Sequence, residues 1–116
     1  MSVPAAVERE TVQHYLWGDG CDGWRLVDRD DLSVIEERVP PGASEQWHVH
    51  DRARQFFYVL SGQAELRTDE GTVHLSSGTG VEVPPGLPHQ LANVGDVDVV
   101  FLVTSAPSTR GDRRAP

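Results

Sequence analysis

A chain of 116 residues is long enough for one compact domain and too short for two. Its ten basic residues are all Arg, and against 18 acidic residues they leave a formal net charge of −8, which argues against nucleic acid and anionic membranes as partners. No apolar stretch approaches the roughly 20 residues of a membrane-spanning helix, and the start MSVPAAVERE lacks the basic and apolar regions of a secretory signal, so a cytoplasmic location is expected.

Residues 1–10 carry little apolar patterning and are expected to be partly flexible. The segment Thr11–Trp17 is rich in strand formers and ends at a Gly/Asp turn. Cys21 lies in GDGCDG, residues 18–23, and reads as an ordinary loop thiol. As the single cysteine it forms no internal disulfide and no multi-cysteine zinc site. Strands are expected at Trp24–Val27 and at Leu32–Val39, the latter stopped by Pro40-Pro41-Gly42. Gln55–Leu60 (QFFYVL) is the strongest strand, and Gln63–Thr68 forms a hairpin with it across Ser61-Gly62. Thr72–Leu75, Gly80–Val83, His89–Asn93 and Val97–Thr104 complete the set. About nine short strands with turn residues between them, and no window of helical period, predict an all-β sandwich or barrel over residues 11–104. The Ser/Pro/Arg/Gly-rich tail 105–116 is expected to be disordered.

Chemistry concentrates at four residues. His48 and His50 stand two apart in QWHVH, and in a strand such residues face the same side, so both imidazoles reach one ion while Trp47 and Val49 face away. Gln55 opens the next strand after a short turn, and Phe57 and Val59 share its side. His89 follows the rigid PPGLPH segment, whose fixed proline φ angles suit a loop that aims one side chain.

The stretch Gly42–Gly62 reads G-x5-H-x-H-x4-Q-x6-G, and Gly78–Asn93 reads G-x5-P-x-G-x2-H-x3-N. These resemble the two motifs of the cupin family, with every spacing in register and one substitution. The resemblance implies a single-domain jelly-roll β-barrel and one divalent transition metal ion per chain, held by His48, His50, His89 and Gln55. Most cupins carry Glu where this chain has Gln55. A neutral amide is the weaker ligand and leaves the ion its full charge, which favours anionic substrates such as enolates or carboxylates. Gln55 either ligates through its oxygen or hydrogen-bonds a water or the substrate, leaving a three-histidine site. A metal-free barrel is the third reading. Imidazole and oxygen donors suit Zn, Fe, Ni, Mn or Cu.

The resemblance also implies a metal-dependent enzyme acting on a small molecule, with dioxygenase-type chemistry on an enolic or phenolic substrate placed first. A non-redox isomerase, cyclase or lyase and a small-ligand-binding module are the alternatives. No general acid or base is singled out: Glu36, Glu45, His14 and Tyr58 are candidates by type alone. Glu36, Arg38, Glu45 and Arg54 are candidates for the pocket rim. His14 and His74 are expected on the surface. Tyr15, Trp17 and Trp24 are expected in the core or at a dimer contact, and a homodimer is expected.

Overall fold

The structure, a computed structural model, describes residues 3–116. Nine strands run β1 (His14–Trp17), β2 (Cys21–Asp28), β3 (Ser33–Val39), β4 (Arg54–Ser61), β5 (Gln63–Thr68), β6 (Gly71–Ser76), β7 (Gly80–Val83), β8 (His89–Ala92) and β9 (Val99–Ala106). They form two antiparallel sheets, one of six strands in the order β1-β2-β3-β9-β4-β7 and one of three in the order β6-β5-β8. No helix occurs among the described residues. The chain is an all-β, single-domain barrel of jelly-roll type, as its sequence pattern leads one to expect.

Alternation makes these strands. In β4, Gln55, Phe57 and Val59 are buried while Phe56 and Leu60 are exposed. In β3, Ser33, Ile35, Glu37 and Val39 are buried, and in β9, Val99, Phe101, Val103 and Ser105. Period-two burial of this kind puts one face of each strand on the core. Register then joins the inward residues into rungs. Ser33 and Gln55 both pair with Ser105, Ile35 and Phe57 with Val103, and Glu37 and Val59 with Phe101. The apolar rungs close one part of the interior with Leu66, Leu91 and Val83 from neighbouring strands. The polar rungs open toward the other part.

Two glycines are needed where they stand. Gly62 turns β4 into β5 at φ +82°, and a Cβ there would lie 2.3 Å from the Asp98 carbonyl oxygen. Any side chain would meet both the strained φ and the backbone of the neighbouring loop. At Gly23 a Cβ would lie 2.2 Å from Tyr15 Cζ. The missing side chain is the space in which the Tyr15 ring lies across β2.

The structure departs from the sequence reading in four places. Gln55–Leu60 and Gln63–Thr68, expected as a hairpin, do not pair: the chain passes at Gly62 from the six-stranded sheet into the three-stranded one, where β5 lies between β6 and β8. Cys21 is no loop thiol: it opens β2, is fully buried and belongs to the core cluster, and burial pushes its thiol pKa up to about 11. The first strand begins at His14 rather than Thr11, and the strand from Trp24 extends back to Cys21. Residues 105–116 are not a loose tail: β9 runs through Ala106, the Ser108 amide donates to the Asp30 carbonyl, and Arg114 pairs with Val49 in both directions at 3.0 and 3.1 Å. Few apolar side chains are involved, so composition gave no sign of it. Backbone groups, the buried Asp112 carboxylate and the pairs Arg110–Asp28 and Arg114–Asp51 hold the segment instead.

Candidate metal centre

Three imidazoles meet at the open end of the barrel. His48 and His50 follow the Pro40–Gly42 turn on a segment that bridges to β8, and His89 opens β8 in the three-stranded sheet. The His48 amide donates to the His89 carbonyl at 3.1 Å and the His89 amide to the His48 carbonyl at 3.0 Å. This bridge fixes how far apart the two rings start. All three histidines are buried, and one nitrogen of each lies within 4.8 Å of those of the other two. His48, His50 and His89 are thus positioned to bind a metal.

The tautomers support that position. His48 Nδ1 donates to the Gln46 carbonyl at 2.7 Å, His89 Nδ1 to the Leu87 carbonyl at 2.9 Å, and His50 Nδ1 to the Asp112 carbonyl. A neutral ring that donates from Nδ1 carries its lone pair on Nε2. Three lone pairs therefore point into one small space. Burial also keeps the rings uncharged. It pushes the His48 pKa down to about 3, helped by Arg113 and the two other histidines, and it lowers His50 and His89.

Gln55 reaches the same place. Its Nε2 donates to Ser105 Oγ at 3.1 Å, which leaves Oε1 3.1 Å from His89 Nε2. Two atoms that carry only lone pairs then face each other across a hydrogen-bond distance. They repel unless a cation lies between or beside them or the amide turns over. The donor set of three unprotonated imidazoles and an amide oxygen fits a divalent first-row ion.

The cavity beside this cluster has a volume of about 220 Å³ and is lined by His48, His50, Gln55 and Ser105 on one side and by Tyr15, Arg25, Glu37, Glu45 and Arg113 on another. That is below the roughly 300–1,000 Å³ typical of drug-sized ligands, so the site admits a small molecule. Glu37 is 8% exposed. Its carboxyl makes no hydrogen bond among the described residues and lines the cavity. Burial, then the neighbouring Glu45, raise its pKa well above the usual carboxylate range against the pull of Arg113 and Arg25. Glu45 Oε1 accepts the Leu91 amide at 3.0 Å. Burial nevertheless lifts its pKa to about 7. The Arg25 guanidinium lies 4.5 Å from the centre of the Tyr15 ring.

The sequence candidates sort cleanly. His48, His50, Gln55 and His89 are brought together. Of the four rim candidates only Glu45 lines the cavity. Glu36 pairs with Arg9, Arg38 with Asp22, and Arg54 with Glu82, all away from it. His14 bonds Asp22 and His74 is exposed, both on the outside. Tyr58 stacks on Phe56 on the outer face of β4. Tyr15, expected in the core or at a dimer contact, is half-buried against the cluster and lines the cavity. Glu37, Arg25 and Arg113 were missed. For Glu37 the signal was present, since Ile35 and Val39 mark the inward face of β3 and Glu37 lies between them in phase.

Comparison with known proteins follows the same lines. The family model described as "Cupin domain" matches residues 35–105. An uncharacterized protein of Methanocaldococcus jannaschii is 29% identical over 65% of this chain and 60% of its own length. An oxalate-binding protein of Thermotoga maritima is 28% identical over 56% of this chain and 54% of its own length. The chain thus spans between half and two thirds of these curated relatives. The polyketide cyclase RemF from Streptomyces resistomycificus superposes with a TM-score of 0.80, covering 91% of this chain and 81% of its own at 24% identity. At that identity the likeness is one of fold.

Proposed function

The chain belongs to the cupin domain family, and on that premise we propose that it is a metal-dependent enzyme that transfers a proton on a small anionic molecule. His48, His50 and His89 would hold the ion, with Gln55 Oε1 as the candidate fourth donor. The observation that carries this reading is the meeting of three histidine nitrogens within 4.8 Å of one another beside a cavity that His48 and His50 line together with two arginines and two buried carboxyls. A relative named for oxalate supports a small acid as ligand.

Each cavity residue has a task in this reading. When bound, the ion supplies Lewis acidity and open positions for substrate oxygens. Arg25 and Arg113 hold the substrate's negative charge. Glu37, kept protonated by burial and by Glu45, gives and retakes a proton at its free carboxyl. Gln55 sets the charge of the site: because it is neutral, the ion keeps its full attraction for an anion. A half-turn of the Gln55 amide lets its NH2 donate to His89 Nε2, which satisfies both groups when no ion is bound. The buried Glu37–Glu45 pair beside the cavity favours isomerase, cyclase or lyase chemistry over the dioxygenase chemistry expected from sequence, since such a pair serves proton transfer directly.

The test is incubation of the metal-loaded protein with a panel of small enolisable carboxylates in D2O, with an oxygen electrode in parallel. Deuterium incorporation at the carbon next to the carbonyl without oxygen consumption supports the reading. Oxygen uptake coupled to substrate loss returns the assignment to dioxygenase chemistry.

We also propose that two copies pair through the outer face of the six-stranded sheet. Phe56 is 45% exposed there, beside Tyr58 and Leu60 on β4, and the cross-strand neighbours Val100 and Leu102 are incompletely buried. Sedimentation at micromolar concentration reads the mass directly, and a monomer contradicts the pairing.

A further inference from the structure

The three imidazoles are not oriented in the same way. His48 and His89 each donate to the carbonyl two residues earlier in their own segment. His50 donates to the carbonyl of Asp112, 62 residues away. The segment that carries this acceptor has almost no apolar anchor. Ser108 and Arg110 tie it to Asp30 and Asp28 at one end, and its remaining polar contacts surround His50.

Asp112 is 6% exposed. Its Oδ1 accepts the Asp51 amide at 2.9 Å, and its Oδ2 accepts the amides of Arg52 and Ala53 at 3.0 and 2.9 Å. Three successive N–H groups form a concave anion site. Burial would push the Asp112 pKa up, but these donors hold it below the usual range. Two residues on, Arg114 exchanges backbone hydrogen bonds with Val49, and its guanidinium takes both oxygens of Asp51 at 2.9 Å each. Residues 49, 51, 52 and 53 are therefore bound by residues 112 and 114, and His50 lies in the middle of that stretch. The carbonyl that His50 meets is pinned on both sides.

We propose that Asp112 is a positioning residue for His50: its carboxylate, seated on the 51–53 amides, holds its own carbonyl where it fixes the His50 ring and tautomer. The proposal rests on the metal reading above only for its effect on metal affinity. Its effect on the ring does not need a metal. Orienting partners of this kind alter metal affinity by about 10–100-fold when lost. The same strap brings Arg113 to the cavity, so the ion and the anion-binding arginine depend on one anchor.

The experiment uses the full chain, labelled with 15N-histidine, at neutral pH, and Co2+ as the metal probe. In metal-free wild type all three rings are expected as Nδ1–H tautomers. Asp112→Ala is expected to move His50 alone to a tautomer mixture, to lower Co2+ affinity about 10–100-fold and to change the Co2+ visible spectrum. Asp112→Asn, which keeps one acceptor oxygen, is expected to lie between. A His50 that stays Nδ1–H with unchanged Co2+ affinity in folded Asp112→Ala overturns the proposal. Should Asp112→Ala fail to fold, Asp112→Asn carries the test, since its NH2 cannot accept from the 51–53 amides: a His50 that stays wholly Nδ1–H with unchanged Co2+ affinity in folded Asp112→Asn then overturns the proposal. Wild type that binds no Co2+, with His50 still responding to Asp112→Ala, sinks the metal reading and upholds the positioning role.

Discussion

The two parts of the barrel interior are built from the same strands and do opposite things. Along β4, Gln55 faces the mouth while Phe57 and Val59 face the closed core. Along β9, Ser105 faces the mouth and Phe101 the core. The core is apolar, with Phe57 and Phe101 rings 5.9 Å apart, and it supplies the stability of the fold. The mouth buries three imidazoles, two carboxyls and an amide, which cost stability unless partners compensate. The two regimes share rungs: Glu37 lines the cavity yet stands in register with Phe101 and Val59. What differs is only the residue type at inward positions, so the fold tolerates a demanding site because its neighbours on the same strands are ordinary core.

Substitutions should separate the two parts. The largest effect is expected from His89→Ala, which removes one of three nitrogen donors. Metal binding is lost, measured by Co2+ titration, while the metal-free protein keeps its β-sheet circular dichroism. Loss of fold together with metal would break the contrast. Phe57→Ala is expected to do the reverse. It empties a fully buried site and should cost about 3–5 kcal/mol in denaturant unfolding. In whatever fraction remains folded, the ligands should still bind Co2+. Gln55→Glu restores a carboxylate and should tighten Co2+ binding by about tenfold or more, since affinity follows ligand charge. Unchanged affinity would place Gln55 outside the coordination sphere.

The smallest effect concerns pH. Folded Glu45 titrates near 7 against an ordinary 4.5, so the folded state binds the extra proton between these values. Its contribution to stability is then full below about 4.5 and is lost as pH rises to about 7. Glu45→Gln should therefore gain on wild type across that window in metal-free unfolding curves. His48 runs the other way. Its pKa falls from 6.5 to about 3, so stability is lost as pH drops from 6.5 toward 3. A wild-type minus variant difference that stays flat from pH 4.5 to 7 would show that Glu45 is not held protonated.

Much of this was legible in the chain. Period-two patterning fixed the strands to within a few residues, because inward and outward side chains differ strongly in β3, β4 and β9. The four candidate ligands were legible because His48 and His50 share strand phase and because the turn glycines and prolines stand at set spacings around them. Glu37 was passed over for Glu36, although the phase of Ile35 and Val39 pointed inward at 37. Cys21 was misread because the glycines around it signal a turn, whereas its burial is set by a strand two sheet positions away from β9. The strap at 112–114 had no signal of its own. Its contacts join the Asp112 carboxylate to backbone amides, a backbone carbonyl to His50 and Arg114 to Asp51, across about 60 positions, and no periodic pattern announces pairings of that range.

The central claim is that three neutral imidazoles at the mouth hold a metal ion. Elemental analysis of protein purified without chelator tests it most directly. The account predicts about one equivalent of a divalent first-row metal per chain, falling close to zero in His48→Ala and His89→Ala. Protein that is folded and carries no such metal, or variants that retain it in full, would contradict the account.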